Sequence, residues 1–428
     1  MRNDFMRFAL LAVTVALAGC AGIAGTQPPA APQYDAAPSL FLSDTGSGKI
    51  THVVYIVQEG RSFDTLFQGY PGAQTAPTGA ISTGKIMKLR PISLKARYQI
   101  ATSAQAMFAA CNGTGKLPGT KCRMNGFNRE EFRGGPKGVK YPMYAYVPRS
   151  ESKPYFDIAH EWVVADHMFA SQLDGSFTAH QYIVAAQADH AVNIPDGAGG
   201  CAAPPLGDQV PTLTQRRRVG PLEAACFSDN TLANELDTAN LSWRFYTAEK
   251  GALSSSFEFI KSIYGSPEWR DDVIAPPSKF LSDVANGKLA SVTWITPTCP
   301  DSDAVDCGGG DGPAWVASLV NTVGESKFWD TTAVFVQWDD WGGFFDHLGP
   351  PPEDYDGLGF RVPLLVISPY AKRGFVSHVQ YETAGVLRFT EDIYGLGQLA
   401  QADKRATSPA ADCFDFSQQP RKFVPIKE

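Results

Sequence analysis

The 428-residue sequence predicts an α/β fold, a mostly parallel sheet covered by helices on both faces, and three observations carry that expectation. Short runs rich in Val, Ile, Phe and Ala recur along the chain, helix-like stretches separate them, and two runs end abruptly in carboxylates and glycine. An apolar run that stops at charged groups has reached the edge of the core. In open parallel sheets that edge is where ligands bind.

The elements follow in chain order. Residues 1–19 have early Arg2 and Arg7 and then the run FALLAVTVALA, the layout of an export signal and too short to span a bilayer with margin. Its ending, LAGC at 17–20, resembles a bacterial lipobox, which would make Cys20 the lipid-modified residue and the membrane a partner. Ala21 rather than Asp after that cysteine points to a lipid anchor at the outer membrane or periplasmic face of a double-membrane cell envelope. Residues 20–45, rich in Ala, Pro and Gly, read as a flexible tether. The remainder, 46–428, reads as one domain. Strands are expected at 53–57, 163–169, 242–246, 290–295, 333–337 and 363–368, and helices at 177–187, 314–323 and 384–394.

Two stretches, about 101–140 and 190–230, read as irregular insertions rich in Gly, Pro and Cys that shape an entrance to a site. Of eight cysteines, Cys20 is set aside. Cys111 with Cys122, Cys201 with Cys226, and Cys299 with Cys307 form close pairs suited to disulfides in an oxidising compartment, leaving Cys413. No CxxC spacing supports a thiolate metal site. A net charge of −7 argues against a nucleic-acid surface, and 44% hydrophobic content is enough for a large core. Sequence leaves the oligomeric state open.

The chemistry concentrates in three places. VVYIVQEGRSFD (53–64) and AVFVQWDDWGGFFDH (333–347) put Glu59, Asp339 and Asp340 at strand ends, where three carboxylates repel one another unless a cation neutralises them. A metal site is expected there. In MFASQLDGSFTAHQYIVAAQ (168–187), Ser176 stands where an extended run gives way to a helix. Backbone N–H groups and the positive helix end favour a phosphoryl group at that point, although a serine there is also a common helix cap. The segment is not GxSxG, so a lipase-type nucleophile is not expected.

These segments resemble a known family. QEGRSFDTLF is similar to the QENRSFD signature of the bacterial phosphoesterase family that contains non-haemolytic phospholipases C and a respiratory-burst-inhibiting acid phosphatase. DGSFTAHQY resembles its nucleophile segment, WDDWGGFFDH its DE-x-GG-x-x-DH segment, and RVPLLVISPYAKRGFVSH the strand and loop that follow, over about 50–425 in all. The resemblance implies an alkaline-phosphatase-like three-layer α/β/α sandwich, one divalent cation of unspecified identity, a phosphate-ester substrate with phospholipids among the candidates, and a phospho-serine intermediate. Carried over by residue, it makes Glu59, Asp339 and Asp340 metal ligands and Ser176 the nucleophile, itself touching the metal. His347 and His378 are candidates to donate to phosphoryl oxygens, protonate the leaving group or activate water, with His180 sharing the helix face of Ser176. Asp303, in PDSDAVD, resembles a family stretch reading SDH. Arg61 is read either as a phosphate contact or as an ion pair with Asp64, and His160 and His167 as packing residues.

Three departures from the family matter. Gly60 replaces the asparagine of the signature, Ala304 stands where SDH has histidine, and Thr102 stands where a histidine is frequent. A lost donor near a transition state can cost roughly 3 kcal/mol. The alternative expectation is therefore a degenerate member that binds metal or a phosphorylated ligand with little catalysis.

Overall fold

The computed structural model describes residues 45–197, 199–202 and 208–427, so the expected signal 1–19, Cys20 and the tether as far as residue 44 lie outside the described residues. Eight strands form the central sheet: β1 (His52–Gln58), β2 (Val163–Ala165), β3 (Trp243–Tyr246), β4 (Val273–Ile274), β5 (Val292–Ile295), β6 (Thr332–Trp338), β7 (Leu364–Ile367) and β8 (Phe375–Ser377). Their spatial order is β4-β3-β5-β1-β6-β7-β2-β8. Only β7 opposes its neighbours. The remaining pairs are parallel.

The central strands are apolar on both faces because helices cover both faces. On β6, Phe335 packs edge-on against Phe389 of one helix, whereas Trp338, of opposite parity along the strand, packs against Tyr155 of another. The helices carrying these residues therefore lie on opposite sides. Introduced in chain order, the helices that frame the site are α1 (Phe63–Phe67), α2 (Ala104–Cys111), α3 (Lys153–Glu161), α4 (Ser176–Ala185), α5 (Gly312–Gly324) and α6 (Ala384–Tyr394). Helix α3 packs with α5 on one face, and α4 with α6 on the other. The three-layer sandwich expected from the sequence is present.

Differences from the sequence reading are local. The run at 163–169 is divided: β2 ends at Ala165, and Met168–Phe169 leaves the sheet to pair with Tyr381–Glu382. Strands β4 and β8 are additional. The stretch 101–140 is not irregular throughout, since it contains α2 and a strand at Phe132–Gly134. Together with 81–145 more widely, it builds a second apolar cluster in which Met107, Phe127 and Tyr144 pack around Trp341, Phe344 and Phe345. Within 190–230 a hairpin forms from Gln209–Leu213 and Val219–Ala224. Disulfides join Cys111 to Cys122, Cys201 to Cys226 and Cys299 to Cys307, while Cys413 is free and buried.

Candidate active site

The site is built where β1 and β6 end together. Their parallel register runs to Gln58 opposite Trp338, so Glu59 and Asp339 leave the sheet side by side although 280 positions separate them in sequence. Asp339 Oδ1 accepts the N–H of Gly60 at 2.8 Å and that of Asp340 at 2.6 Å, which ties the two acidic segments to each other. Gly342 makes this approach possible: a Cβ there would lie 2.0 Å from the Gly60 carbonyl oxygen.

Ser176 arrives from the opposite flank. Gly175 is the N-cap of α4 and Ser176 the first helical residue, so the serine does not cap its own helix. Its Oγ instead donates to Asp340 Oδ2 at 3.1 Å. Asp174 fixes the turn by accepting the N–H groups of Gly175 at 2.8 Å and of Ala104, at the start of α2, at 2.6 Å. One helical turn further along, His180 sends Nε2 to 3.7 Å from Asp339 Oδ2 and 3.9 Å from Glu59 Oε1. Ser176, His180, Glu59, Asp339 and Asp340 thus come together.

The electrostatics of this group call for positive charge. Burial, followed by repulsion from Asp339, raises the Glu59 carboxyl to about 8, and the same two causes hold Asp340 well above the carboxylate range. Burial lowers His180, with Asp339 opposing, so the imidazole is held neutral and keeps a lone pair. Asp339 Oδ2 and His180 Nε2 are buried without a hydrogen-bond partner. Unpartnered buried polar atoms are costly, and two of them facing each other among carboxylates fit a bound divalent cation.

A cavity of about 330 Å³ opens over Ser176 and Asp340. Its wall includes Gly60, Thr102 and Ala304, all three positions of departure, and the charged side chains Glu131, Arg133 and Asp306. Sequence reasoning did not find Glu131 and Arg133, which come from the insertion; charged residues in a loop carry no periodic signal. It also missed Ser302, whose Oγ donates to Glu59 Oε2 at 3.1 Å, and Gln58, which bridges Asp301 and Asp303 beneath the site.

Other expected residues sit elsewhere. His347 is not among the cavity's lining residues; its Nδ1 lies 2.7 Å from Asp64 Oδ2 in a buried cluster with Asp346 and Arg361. His378 is likewise absent from that wall and pairs through Nδ1 with Asp166 Oδ1 at 2.9 Å. In both cases a buried carboxylate, Asp64 or Asp166, orients the imidazole. Asp303 is fully buried below the cavity, its Oδ2 accepting from Tyr155 Oη at 2.8 Å and Trp338 Nε1 at 3.0 Å, which makes it an anchor of the loop. Arg61 does not pair with Asp64. Its Nε donates to the Asp303 carbonyl at 2.8 Å and its guanidinium lies over the Phe344 ring, while Arg361 takes Asp64.

The chain is similar to known proteins over most of its length. The chain is 24% identical to a non-hemolytic phospholipase C of Burkholderia pseudomallei over 91% of its own length and 60% of that protein's. It is 26% identical to phospholipase C B of Mycobacterium tuberculosis, covering 81% of this chain and 74% of the relative, and 24% identical to non-specific phospholipase C1 of Arabidopsis thaliana, covering 77% and 63%. The chain thus spans less than two thirds of the Burkholderia protein. Among solved structures, a protein of the alkaline phosphatase superfamily from Vibrio parahaemolyticus aligns with a TM-score of 0.39 and 10% identity over 83% of this chain and 69% of that one; the fold assignment rests on the sheet itself. The family model described as Phosphoesterase family matches residues 50–397, and the chain belongs to that family.

Proposed function

We propose that the protein is an exported, metal-dependent phosphoesterase that cleaves a phosphate ester through a phospho-serine on Ser176. The observation that carries this reading is the Ser176 hydroxyl, at the first position of α4, hydrogen-bonded to Asp340 beside the unpartnered oxygen of Asp339. A serine at a helix start receives the phosphoryl group where backbone N–H groups point outward.

Glu59, Asp339 and Asp340 are the residues that would hold a divalent cation, with Ser176 and His180 beside them. Such an ion supplies charge neutralisation for the carboxylates, polarisation of a phosphoryl oxygen and a lowered hydroxyl pKa. The chain's own groups do the rest. Asp340 Oδ2 orients the Ser176 hydroxyl and accepts its proton as the oxygen bonds to phosphorus and the ester P–O bond breaks, and that proton is passed on to the departing alcohol. Water then cleaves the phospho-serine, restoring the hydroxyl and releasing phosphate or a phosphorylated head group. Glu131 and Asp306, on the cavity wall, are carboxylates available to take that water's proton, beside the His347 and His378 expected from sequence. Arg133 on the same wall is the cation available to the substrate's anionic oxygens.

The three disulfides support an oxidising compartment, and export with lipidation at Cys20 belongs to this proposal. A second reading has its own observation. Gly60, Thr102 and Ala304 all face the cavity, so the missing asparagine and histidines leave one wall with few donors, which favours binding of metal or a phosphorylated ligand without turnover.

Hydrolysis of p-nitrophenyl phosphate and p-nitrophenylphosphorylcholine, with and without chelator and beside Ser176→Ala, separates the two. Chelator-sensitive hydrolysis that disappears in the variant is the expected result, and the preferred ester distinguishes phosphatase from phospholipase C. Hydrolysis persisting in Ser176→Ala rules out that nucleophile. A folded, metal-binding parent with no activity on either ester establishes the binding protein.

A further inference from the structure

A second group of metal-ligating side chains stands at the same edge of the sheet, outside the Ser176 cavity. Strands β2 and β8 are parallel neighbours with Ala165 opposite Ser377, so the next residues, Asp166 and His378, leave the sheet together, followed by His167. His167 Nδ1 lies 2.7 Å and His378 Nδ1 2.9 Å from the same oxygen, Asp166 Oδ1. The two rings meet edge to face with centroids 6.0 Å apart. One ligand atom from each of the three residues lies within 4.8 Å of the others.

We propose that Asp166, His167 and His378 form a binding site for a divalent transition ion, Zn²⁺ by the chemistry of its donors, separate from the Ser176 site and independent of the function proposed above. Two imidazole nitrogens and one carboxylate oxygen are a borderline-soft donor set that Zn²⁺ and its neighbours prefer and that Mg²⁺ and Ca²⁺ do not. The carboxylate is already fixed. Asp166 is fully buried, its Oδ2 accepts the Gln74 N–H at 2.7 Å, and Arg361 Nη1 donates to its backbone carbonyl at 2.8 Å, the kind of support that outer partners give a metal ligand. The histidines are accessible, with the His378 side chain 52% exposed, so an ion can enter and water can complete its coordination. An ion would replace the two Nδ1 contacts to the carboxylate and take Nδ1 of each imidazole as its ligand atom, with the ring proton on Nε2. Each nitrogen-to-oxygen separation needs to open by only about half an ångström, since donors about 2.0 Å from a tetrahedral Zn²⁺ stand roughly 3.3 Å apart.

The neighbouring cluster of Asp64, Asp346 and His347 makes the contrast. There Arg361 Nε lies 3.1 Å from both Asp346 oxygens and Nη2 3.3 Å from Asp64, so a guanidinium already occupies the place of the cation. Among the described residues no guanidinium or ammonium hydrogen-bonds the Asp166 carboxylate, whose partners are the two histidines and the Gln74 backbone N–H.

The test is Zn²⁺ binding to the chelator-stripped full chain by calorimetry with metal counting, beside Asp339→Asn, His167→Ala/His378→Ala and the milder His378→Gln. Asp339→Asn is expected to retain one Zn²⁺ that the double-histidine variant loses, and His378→Gln to bind that ion at least about tenfold more weakly. Cu²⁺ loaded into Asp339→Asn gives a second readout that does not depend on the histidine variants folding: its electron paramagnetic resonance should show coupling to two imidazole nitrogens. Unchanged Zn²⁺ stoichiometry in a folded double variant, or a copper spectrum without imidazole nitrogen, overturns the site. Failure of Ser176 to support turnover would leave this result untouched, because Asp339→Asn removes only the other site.

Discussion

At the residue scale, Gly60 is the most informative single position. Its φ of +61° is left-handed, which asparagine tolerates better than any other side chain except glycine, and an added Cβ would meet Ala304 Cα at 3.4 Å, an ordinary contact. Gly60→Asn should therefore fold and return a donor to the cavity wall beside Asp340. Turnover of p-nitrophenyl phosphate is expected to rise by about ten- to a hundredfold, since one such donor is worth up to about 3 kcal/mol; an unchanged rate would mean that Gly60 is not what limits the site. Asp303 offers a second residue-level test through pH. Burial lifts its carboxyl from 3.8 to about 6, with Arg61 opposing. A carboxyl raised in the folded state favours folding most below about pH 4, and that contribution fades as pH climbs to about 6. Over two units the change is roughly 3 kcal/mol. Asp303→Asn keeps an oxygen for Tyr155 and Trp338, so urea midpoints measured in chelator at pH 4 and pH 7 should differ less than in the parent.

At the element scale, the buried cluster around Arg361 joins α1, the β6 loop and the entry to β7. Arg361, Asp64 and Asp346 are all fully buried, and removing the guanidinium leaves two carboxylates without their cation. Arg361→Met is expected to lower stability by roughly 3–5 kcal/mol, read as a shift in the denaturant midpoint; a shift under about 1 kcal/mol would show the cluster to be solvated. The same elements show what sequence could carry. Strands β1 and β6 were legible because mostly apolar runs at 53–57 and 333–337 give way within a few residues to acid. Helix α6 was legible because Val386, Phe389 and Ile393 recur at helical spacing and Gly395 stops it in the left-handed region. Strands β4 and β8 were not, since two or three residues give no period to detect. The direction of β7 was hidden for a different reason: an apolar run looks the same read either way along the sheet. His347 lies well beyond the end of β6 and His378 follows β8, a strand too short to be read from sequence, and their carboxylate partners, Asp64 and Asp166, lie far away in sequence and decide where the rings point.

At the scale of the whole molecule, the parallel sheet is what lets distant segments share one edge, and that edge accumulates negative charge. Glu59, Asp339 and Asp340 end adjacent strands there, the two aspartates buried and Glu59 mostly so, and that burial is imposed by the layers on both faces rather than by anything local. The folded chain should therefore hold a hard divalent cation that the unfolded chain, with these carboxylates dispersed, does not. Binding to the native state alone stabilises by about 2.7 kcal/mol at a hundredfold excess over Kd. Adding Mg²⁺ or Ca²⁺ to chelator-stripped protein should then raise the thermal midpoint by a few degrees, whereas Asp339→Asn should abolish the shift and, by relieving repulsion, raise the midpoint of the metal-free chain. These hard ions are poor partners for the imidazoles of His167 and His378, so the response isolates the Ser176 edge from the Asp166 site. A midpoint that ignores both ions in the parent, or that responds equally in Asp339→Asn, would remove the cation from this edge and with it the reason for three carboxylates to be buried together.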